Sequence, residues 1–308
     1  MGTYLVSGSM GCLGAWALYH LVQAGENVIS FDLSENRSRL DLLMGADEQA
    51  AITFIIGDLT NAEQVKRAVI DNGVTHVIHL AALQVPLVRA NPIVGAQVNV
   101  TGTVNIFEAA KAAGLKHVSY ASSIAVYGKP NEYPDGLIGH DAPHKPSTLY
   151  GVFKSANEGT ARVYFNESGI TSTALRPYTV YGLGRDTGLT SEPTKAMLAA
   201  AQGQDFHLTY GGKTQMHFAS DTAKQFILAA DEPLNGAYAF NMGGDVVHMS
   251  DIAAAIVQQR PAVKITFDDK QLPFPEGFDD SVLRQHFSTV YETPLAEGVA
   301  QTMRGNLL

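Results

Sequence analysis

Tyr150 and Lys154 stand four residues apart in a stretch with helical periodicity, so both project from one helix face. A phenol ionises at about 10, too high for an efficient base at neutral pH, but an ammonium one turn away lowers that value. The pair is therefore equipped to take a proton from a substrate hydroxyl. Taken alone, the same spacing is also found on ordinary helix surfaces. Ser122 and Ser123, at the end of an earlier β-rich run, supply a hydroxyl for the same substrate oxygen. Ser123 is the first candidate and Ser122 the second, because the register is open by one residue.

A second group lies at the N-terminus, where strand, glycine turn and helix follow directly in Leu5-Val6-Ser7-Gly8-Ser9-Met10-Gly11-Cys12-Leu13-Gly14. Glycines there permit a tight turn, close backbone approach to a pyrophosphate and close packing of the helix on the sheet. The helix N-terminus adds its own preference for negative charge. The spacing is G-x-x-G-x-x-G, and a lone triplet of this kind can be no more than a glycine-rich turn. Asp32 closes the second apolar run, where a carboxylate accepts hydrogen bonds from an adenosine ribose and repels a 2′-phosphate. That favours NAD over NADP. Asp32 also suits a helix N-cap, and Arg37 and Arg39 nearby leave some use of NADP open.

These groups need a scaffold that brings residues 8, 32, 123 and 150 together. Apolar, β-branched runs at 4–7, 28–31, 53–56, 76–80, 117–121 and 172–175 alternate with helical patterns at about 12–24, 62–71, 92–113 and 147–168. This alternation predicts an α/β fold of the Rossmann type, a doubly wound parallel sheet with crossover helices. Beyond Pro177 the texture changes: Gly182, Gly184, Gly188, Gly203, Gly211 and Gly212 interrupt shorter elements. Residues 1–176 are expected to form the dinucleotide-binding core. Residues 177–308 are expected to form mainly a smaller substrate lobe, with some segments returning to the core.

The 308 residues suffice for a full hydrophobic core, and 45% apolar with 17% charged residues is ordinary for a globular enzyme. A net charge of -9 argues against nucleic acid or an anionic membrane surface as a partner. Cys12 is the single cysteine, so no internal disulfide and no structural metal site are expected, and the cytoplasm is the default compartment. The N-terminus runs straight into a strand pattern without a basic, apolar leader.

With these residues in view, the chain resembles the extended short-chain dehydrogenase/reductase family, which includes NAD-dependent sugar epimerases and dehydratases. The motifs occur in order: the 8–14 glycine turn, Gly57-Asp58-Leu59-Thr60, His79-Leu80-Ala81-Ala82, Asn99-Val100-Thr101-Gly102-Thr103, Ser122-Ser123-Ile124-Ala125-Val126-Tyr127-Gly128 and Tyr150-Gly151-Val152-Phe153-Lys154. The resemblance implies that Gly8, Gly11, Cys12, Leu13, Gly14, Asp32, Asp58, Leu59, Leu80, Ala81, Ala82, Asn99, Ser122, Tyr150, Lys154 and Tyr178 serve the cofactor. Asp58 and Leu59 would flank the adenine, and Asn99 would support the architecture. It further implies that Lys154 holds the nicotinamide ribose and favours the Tyr150 phenolate, with Ser123 on the substrate oxygen.

Dehydratases of this family usually carry an acidic pair after the strand serine or threonine. Ile124 and Ala125 stand there instead, and neither moves a proton. The resemblance to sugar-nucleotide epimerases is greater, in His79-Leu80-Ala81-Ala82-Leu83 and Leu175-Arg176-Pro177-Tyr178-Thr179-Val180-Tyr181-Gly182. Two departures weaken a nucleotide-sugar assignment: Thr179 replaces a common asparagine, and the arginine that usually grips the diphosphate is absent from 211–223. Lys213 replaces one charge but not a bidentate guanidinium. Substrate candidates are Gln84, Ser123, Thr179, Arg185, Lys213, His217 and Arg284, while Arg176 is expected to brace the sheet.

The first expectation is an epimerase-type oxidoreductase acting on a carbinol of a carbohydrate, whether sugar, sugar acid or sugar nucleotide. The alternatives are a dehydrogenase that releases the oxidised product of a sugar, sugar acid or hydroxy amino acid, and a non-catalytic NAD sensor. Alanine-rich faces on helices 92–113 and 147–168 suit a homodimer, though they suit packing on the sheet equally well.

Overall fold

Runs of Val, Ile, Leu and Phe that alternate with helices become parallel strands, because each strand is covered on both faces by its crossover helices. The structure is a computed structural model and describes residues 1–305. Its main sheet holds β1 (Thr3–Ser7), β2 (Asn27–Asp32), β3 (Ile52–Ile56), β4 (His76–His79), β5 (His117–Ala121), β6 (Thr171–Arg176) and, later in the chain, β10 (Ala237–Asn241). Their spatial order is β10-β6-β5-β4-β1-β2-β3 and every pairing is parallel. This is the Rossmann order with one strand added beyond β6. The order reverses between β1 and β4, and a doubly wound sheet binds its ligand in the crevice at that point.

The helices start where the sequence supplies caps. Thr148 accepts a hydrogen bond from Gly151 N at 3.1 Å, so the helix expected at 147–168 opens as Leu149–Ser168, and Gly169 closes it at φ 66°. The expected helix 92–113 is not continuous. It consists of Pro92–Ala96, a π-helical segment Gln97–Thr101 and Gly102–Ala112. Asn99 sits in that widened turn and shares its carbonyl between Asn157 Nδ2 and Thr103 Oγ1, both at 2.8 Å. Periodicity does not reveal such a segment, because a single π-helical turn is too short to set a period of its own. Ala109, Ala110 and Ala161 of these helices are buried with the sheet's own core residues, whereas Ala156 is exposed.

Residues after 176 divide between two layers. β7 (Thr179–Tyr181), β9 (Lys213–Phe218) and β11 (Val246–His248) form a small sheet in the order β11-β9-β7, and β8 (Phe206–Leu208) pairs with β12 (Ile265–Phe267). The helix Ala219–Asp231 returns to the first domain, burying Ala223 and Phe226 in one cluster with Trp16 and Leu18 of the first helix, Cys12–Gln23. β10 then completes the main sheet, and the described part of the lobe ends at 305. The lobe has its own cluster, which takes in Ile124, Ala125 and Tyr127 from the loop after β5 and packs against Tyr150.

Two histidines are enclosed in this framework. His79 is held by Ser7 Oγ at 2.6 Å and Thr103 Oγ1 at 3.1 Å, and burial lowers its pKa to about 3. Burial likewise lowers His217 to about 4. Both are neutral in the fold but take protons when unfolded below about 6.5, so stability falls as pH drops from 6.5 toward 4. Each contributes a slope of up to about 1.4 kcal/mol per pH unit. Urea midpoints measured against pH should show this fall, and His217→Gln should make it shallower. An unchanged slope would mean that His217 is protonated in the fold.

Candidate active site

Gly8 takes φ +71°, a left-handed conformation, and its N–H donates to Phe31 O at 3.0 Å. A Cβ on Gly8 would lie 2.5 Å from Ala81 Cα, and one on Gly14 would lie 2.2 Å from Gly8 O. A side chain at either position would strike backbone, so the two glycines let the β1 turn lie against the segment after β4 and the first helix lie against that turn. That helix begins after Gly11 with no side-chain cap, so its N-terminal end is open to an anion. Beside it, Asp32 Oδ2 accepts from Met10 N and Oδ1 from Ser34 N, both at 2.9 Å, which fixes the carboxylate at the cavity wall. Arg37 lies 3.6 Å over the Phe54 ring. Arg39 donates to Met10 O at 2.7 Å and pairs with Asp186 at 2.7 Å. Both arginines are thus engaged elsewhere.

The tips of β5 and the Leu149–Ser168 helix build the other end. Ser122 donates to Glu158 at 2.5 Å and is thereby turned into the protein. Ser123 Oγ accepts from Ala125 N at 3.1 Å and works against the burial of the Tyr150 phenol. Burial raises the Tyr150 pKa above its ordinary value, against the opposing effects of Ser123 and Arg185. Lys154 is 3% exposed, its Nζ donates to Ala121 O at 2.6 Å and lies 5.7 Å from the Tyr150 ring centroid. Burial lowers its pKa to about 8, and the charge of Glu158 resists that fall. Glu158, one turn after Lys154, is clasped by Arg176 through Nε at 2.9 Å and Nη2 at 2.7 Å.

Glycine turn and Tyr150 line one cavity of about 400 Å³. Gly8, Gly11, Cys12, Leu13, Gly14, Asp32, Asp58, Leu59, Leu80, Ala81, Ala82, Gln84, Ser122, Ser123, Tyr150, Lys154, Tyr178 and Arg185 all reach it. The other candidates do not. Asn99 is 1% exposed behind the wall, where its amide accepts from Leu83 N at 2.7 Å and donates to Leu83 O at 2.9 Å. It shapes the wall from behind. Thr179 is fully buried and bonded to Thr214 at 2.6 Å. Lys213 faces outward near Glu276, while Arg284 pairs with Asp280 and Glu292. His217 and Arg284 line a separate cavity of about 480 Å³. The alternation of β9 and the turn of the lobe carry these residues away from Tyr150.

Leu189, Thr190 and Phe274 line the same cavity as Tyr150 without having been expected. The glycines around 182–188 mark a loop but do not say where it folds. Glu158 was equally unforeseen, although it continues the four-residue spacing of Tyr150 and Lys154. Cys12 also lines the cavity, with its thiol pushed up to about 11 by burial.

Residues 4–243 match the profile of the NAD dependent epimerase/dehydratase family. The chain belongs to that family. A UDP-glucose 4-epimerase of Mycolicibacterium smegmatis (strain ATCC 700084 / mc(2)155) is 30% identical over 250 residues, 79% of this chain and 77% of that protein. An uncharacterised 37.6 kDa protein of Escherichia coli O111:H- is 32% identical over 241 residues, 74% of this chain and 69% of that protein. Among solved structures, the Thermus thermophilus UDP-glucose 4-epimerase in complex with NAD has a TM-score of 0.83 over 98% of both chains, at 24% identity. A GalE-like L-threonine dehydrogenase from Cupriavidus necator has a TM-score of 0.84 over 98% of this chain and 99% of that one, also at 24% identity. At this identity the shared feature is the fold.

The chain is accordingly an NAD-dependent enzyme of the extended short-chain dehydrogenase/reductase type, with a Rossmann core. The cradle fits the cofactor, since Gly8 and Gly14 let the turn lie against Ala81 and the helix lie against the turn, beside an uncapped helix N-terminus and a fixed Asp32 carboxylate. Among the described residues no cluster of His, Cys, Asp and Glu is arranged to hold a metal, and no helix is long and apolar enough to cross a membrane.

Proposed function

We propose that this enzyme is an epimerase-type oxidoreductase acting at a carbinol carbon of a carbohydrate. The supporting observation is the convergence of Ser123, Tyr150 and Lys154 in the same cavity as the glycine turn and Asp32. Asp32 would hold the adenosine ribose, the 8–14 turn the diphosphate, Asp58 and Leu59 the adenine, and Lys154 the nicotinamide ribose. NAD, when bound, supplies the hydride acceptor and, on the return step, the donor.

The chain's own residues handle the proton. Tyr150 Oη takes it from the substrate hydroxyl as the C–H bond breaks and the carbonyl forms, and gives one back when the carbonyl is reduced from its other face. Ser123 Oγ already accepts from Ala125 N, which leaves its own proton free to bond the substrate oxygen. Ile124 and Ala125 supply no further acid or base beside Tyr150, so elimination of water lacks the additional proton carriers it needs at these two positions.

The test is a panel of free sugars, sugar acids and UDP-sugars with catalytic NAD, followed by product NMR and absorbance in the NADH band. An inverted sugar without net NADH is the expected result. Stoichiometric NADH would replace the epimerase reading with that of a dehydrogenase releasing its product.

A further inference from the structure

We infer that the substrate is a small, free hydroxy acid of the sugar-acid class, recognised by Arg185 through its carboxylate and carrying no nucleotide. This rests on the carbinol chemistry proposed for Tyr150 and adds the group that orients the substrate against it. Arg185 lies on the loop after β7 and lines the catalytic cavity. Its Nε is buried with no hydrogen-bond partner, and Nη2 has only Thr190 Oγ1, at 3.4 Å. No carboxylate within 4.0 Å pairs with it among the described residues, although Arg39, Arg176 and Arg284 each have one. Other buried polar atoms are also unmet, but among the described residues that carry one only Arg185 and Tyr178 line this cavity, and of the two Arg185 bears the charge that calls for an anionic acceptor. A planar guanidinium with an unmet Nε and only one long bond at Nη2 matches a carboxylate.

Its position is consistent with that role. The Arg185 charge acts on Tyr150, and a Cβ built on Gly188 would strike both Gln84 Oε1 and Arg185 Nη2, at 2.1 and 3.0 Å. The guanidinium therefore sits near Gln84 in the cavity that Tyr150 also lines. The loop carrying it is pinned in place, with Leu183 O accepting from Trp16 Nε1 at 3.0 Å and Asp186 paired with Arg39. Conversely, the cations that a nucleotide diphosphate would need are elsewhere: Lys213 faces Glu276, Arg284 is neutralised by Asp280 and Glu292, and neither lines this cavity. Arg185 also acts on Cys12 of the glycine turn, so the cofactor's diphosphate is the competing anion.

The experiment compares glucuronate, galacturonate and gluconate with glucose, galactose, UDP and UDP-glucose, using the NAD-loaded enzyme and its Arg185→Met and Arg185→Lys variants. Turnover and product NMR are read together with the melting temperature and, separately, NAD affinity. One or more acids should be turned over, with KM raised about a hundredfold in Arg185→Met, partly restored in Arg185→Lys, and NAD affinity unchanged within about twofold. Melting temperatures of the variants without substrate report whether they fold. An NAD affinity that falls while KM for the acid holds would assign Arg185 to the cofactor and overturn the inference. It is also overturned by turnover confined to UDP-glucose, by neutral sugars used as well as the acids, or by no acid being turned over or raising the melting temperature. Failure of the underlying chemistry has a different signature: an acid turned over equally well by Tyr150→Phe.

Discussion

Tyr150→Phe is expected to lower kcat by about 10²- to 10⁴-fold while NAD affinity and melting temperature stay close to those of the parent. The substitution removes one oxygen and leaves the ring, which packs against the lobe's core cluster with Ala125 and Tyr178. What is lost is the atom that takes the proton. Burial alone holds this phenol above its ordinary value, so Ser123, the Arg185 charge and the positive nicotinamide of bound NAD must bring it down. Burial lowers the Lys154 pKa to about 8, and its Nζ is held by Ala121 O. The loss should appear in kcat, because a proton acceptor acts in the transition state and adds little to ground-state binding. Turnover within a few-fold of the parent would remove Tyr150 from the chemistry.

Glu158→Ala should produce the largest change in stability, about 3–5 kcal/mol in urea unfolding near pH 7. The carboxylate holds Arg176 through two bonds and accepts from Ser122, and Arg176, 4% exposed, would remain charged with only Tyr127, Asn241 and His144 as neighbours. The cost comes from leaving a buried guanidinium without its counter-charge, because the pair itself has little net value over an apolar replacement. Arg176→Met in the Glu158→Ala background should therefore recover a large part of the loss, a coupling that a simple packing defect would not produce. A loss below about 1 kcal/mol would mean that water reaches Arg176 and that the cluster is not buried in solution.

Much of the fold is legible because alternating apolar runs and helical patterns admit few architectures. The strands begun at Thr3, Asn27, Ile52, His76, His117 and Thr171 lie within a residue of the expected starts. The break at Gln97–Thr101 was not legible, since one π-helical turn of five residues is too short to set a period of its own. Nor was β10 as the seventh strand, because its pairing with β6 joins segments more than sixty residues apart and leaves no local pattern.

The catalytic group divides along the same line. Tyr150, Lys154, Ser123 and the glycine turn depend on local spacing, and helix or turn geometry carries that spacing directly into space. Which of Arg185, Lys213, His217 and Arg284 reaches Tyr150 depends on how the lobe folds back. Only Arg185 lines the cavity, while the other three point outward or into a second one. The sequence by itself determined an α/β dinucleotide fold with a tyrosine and lysine on one helix face, because both follow from short-range periodicity. Tertiary structure alone decided which of the lobe's cations lines the cavity and which carboxylate, Glu158, holds Ser122 and Arg176 behind it, because long-range packing sets those neighbours.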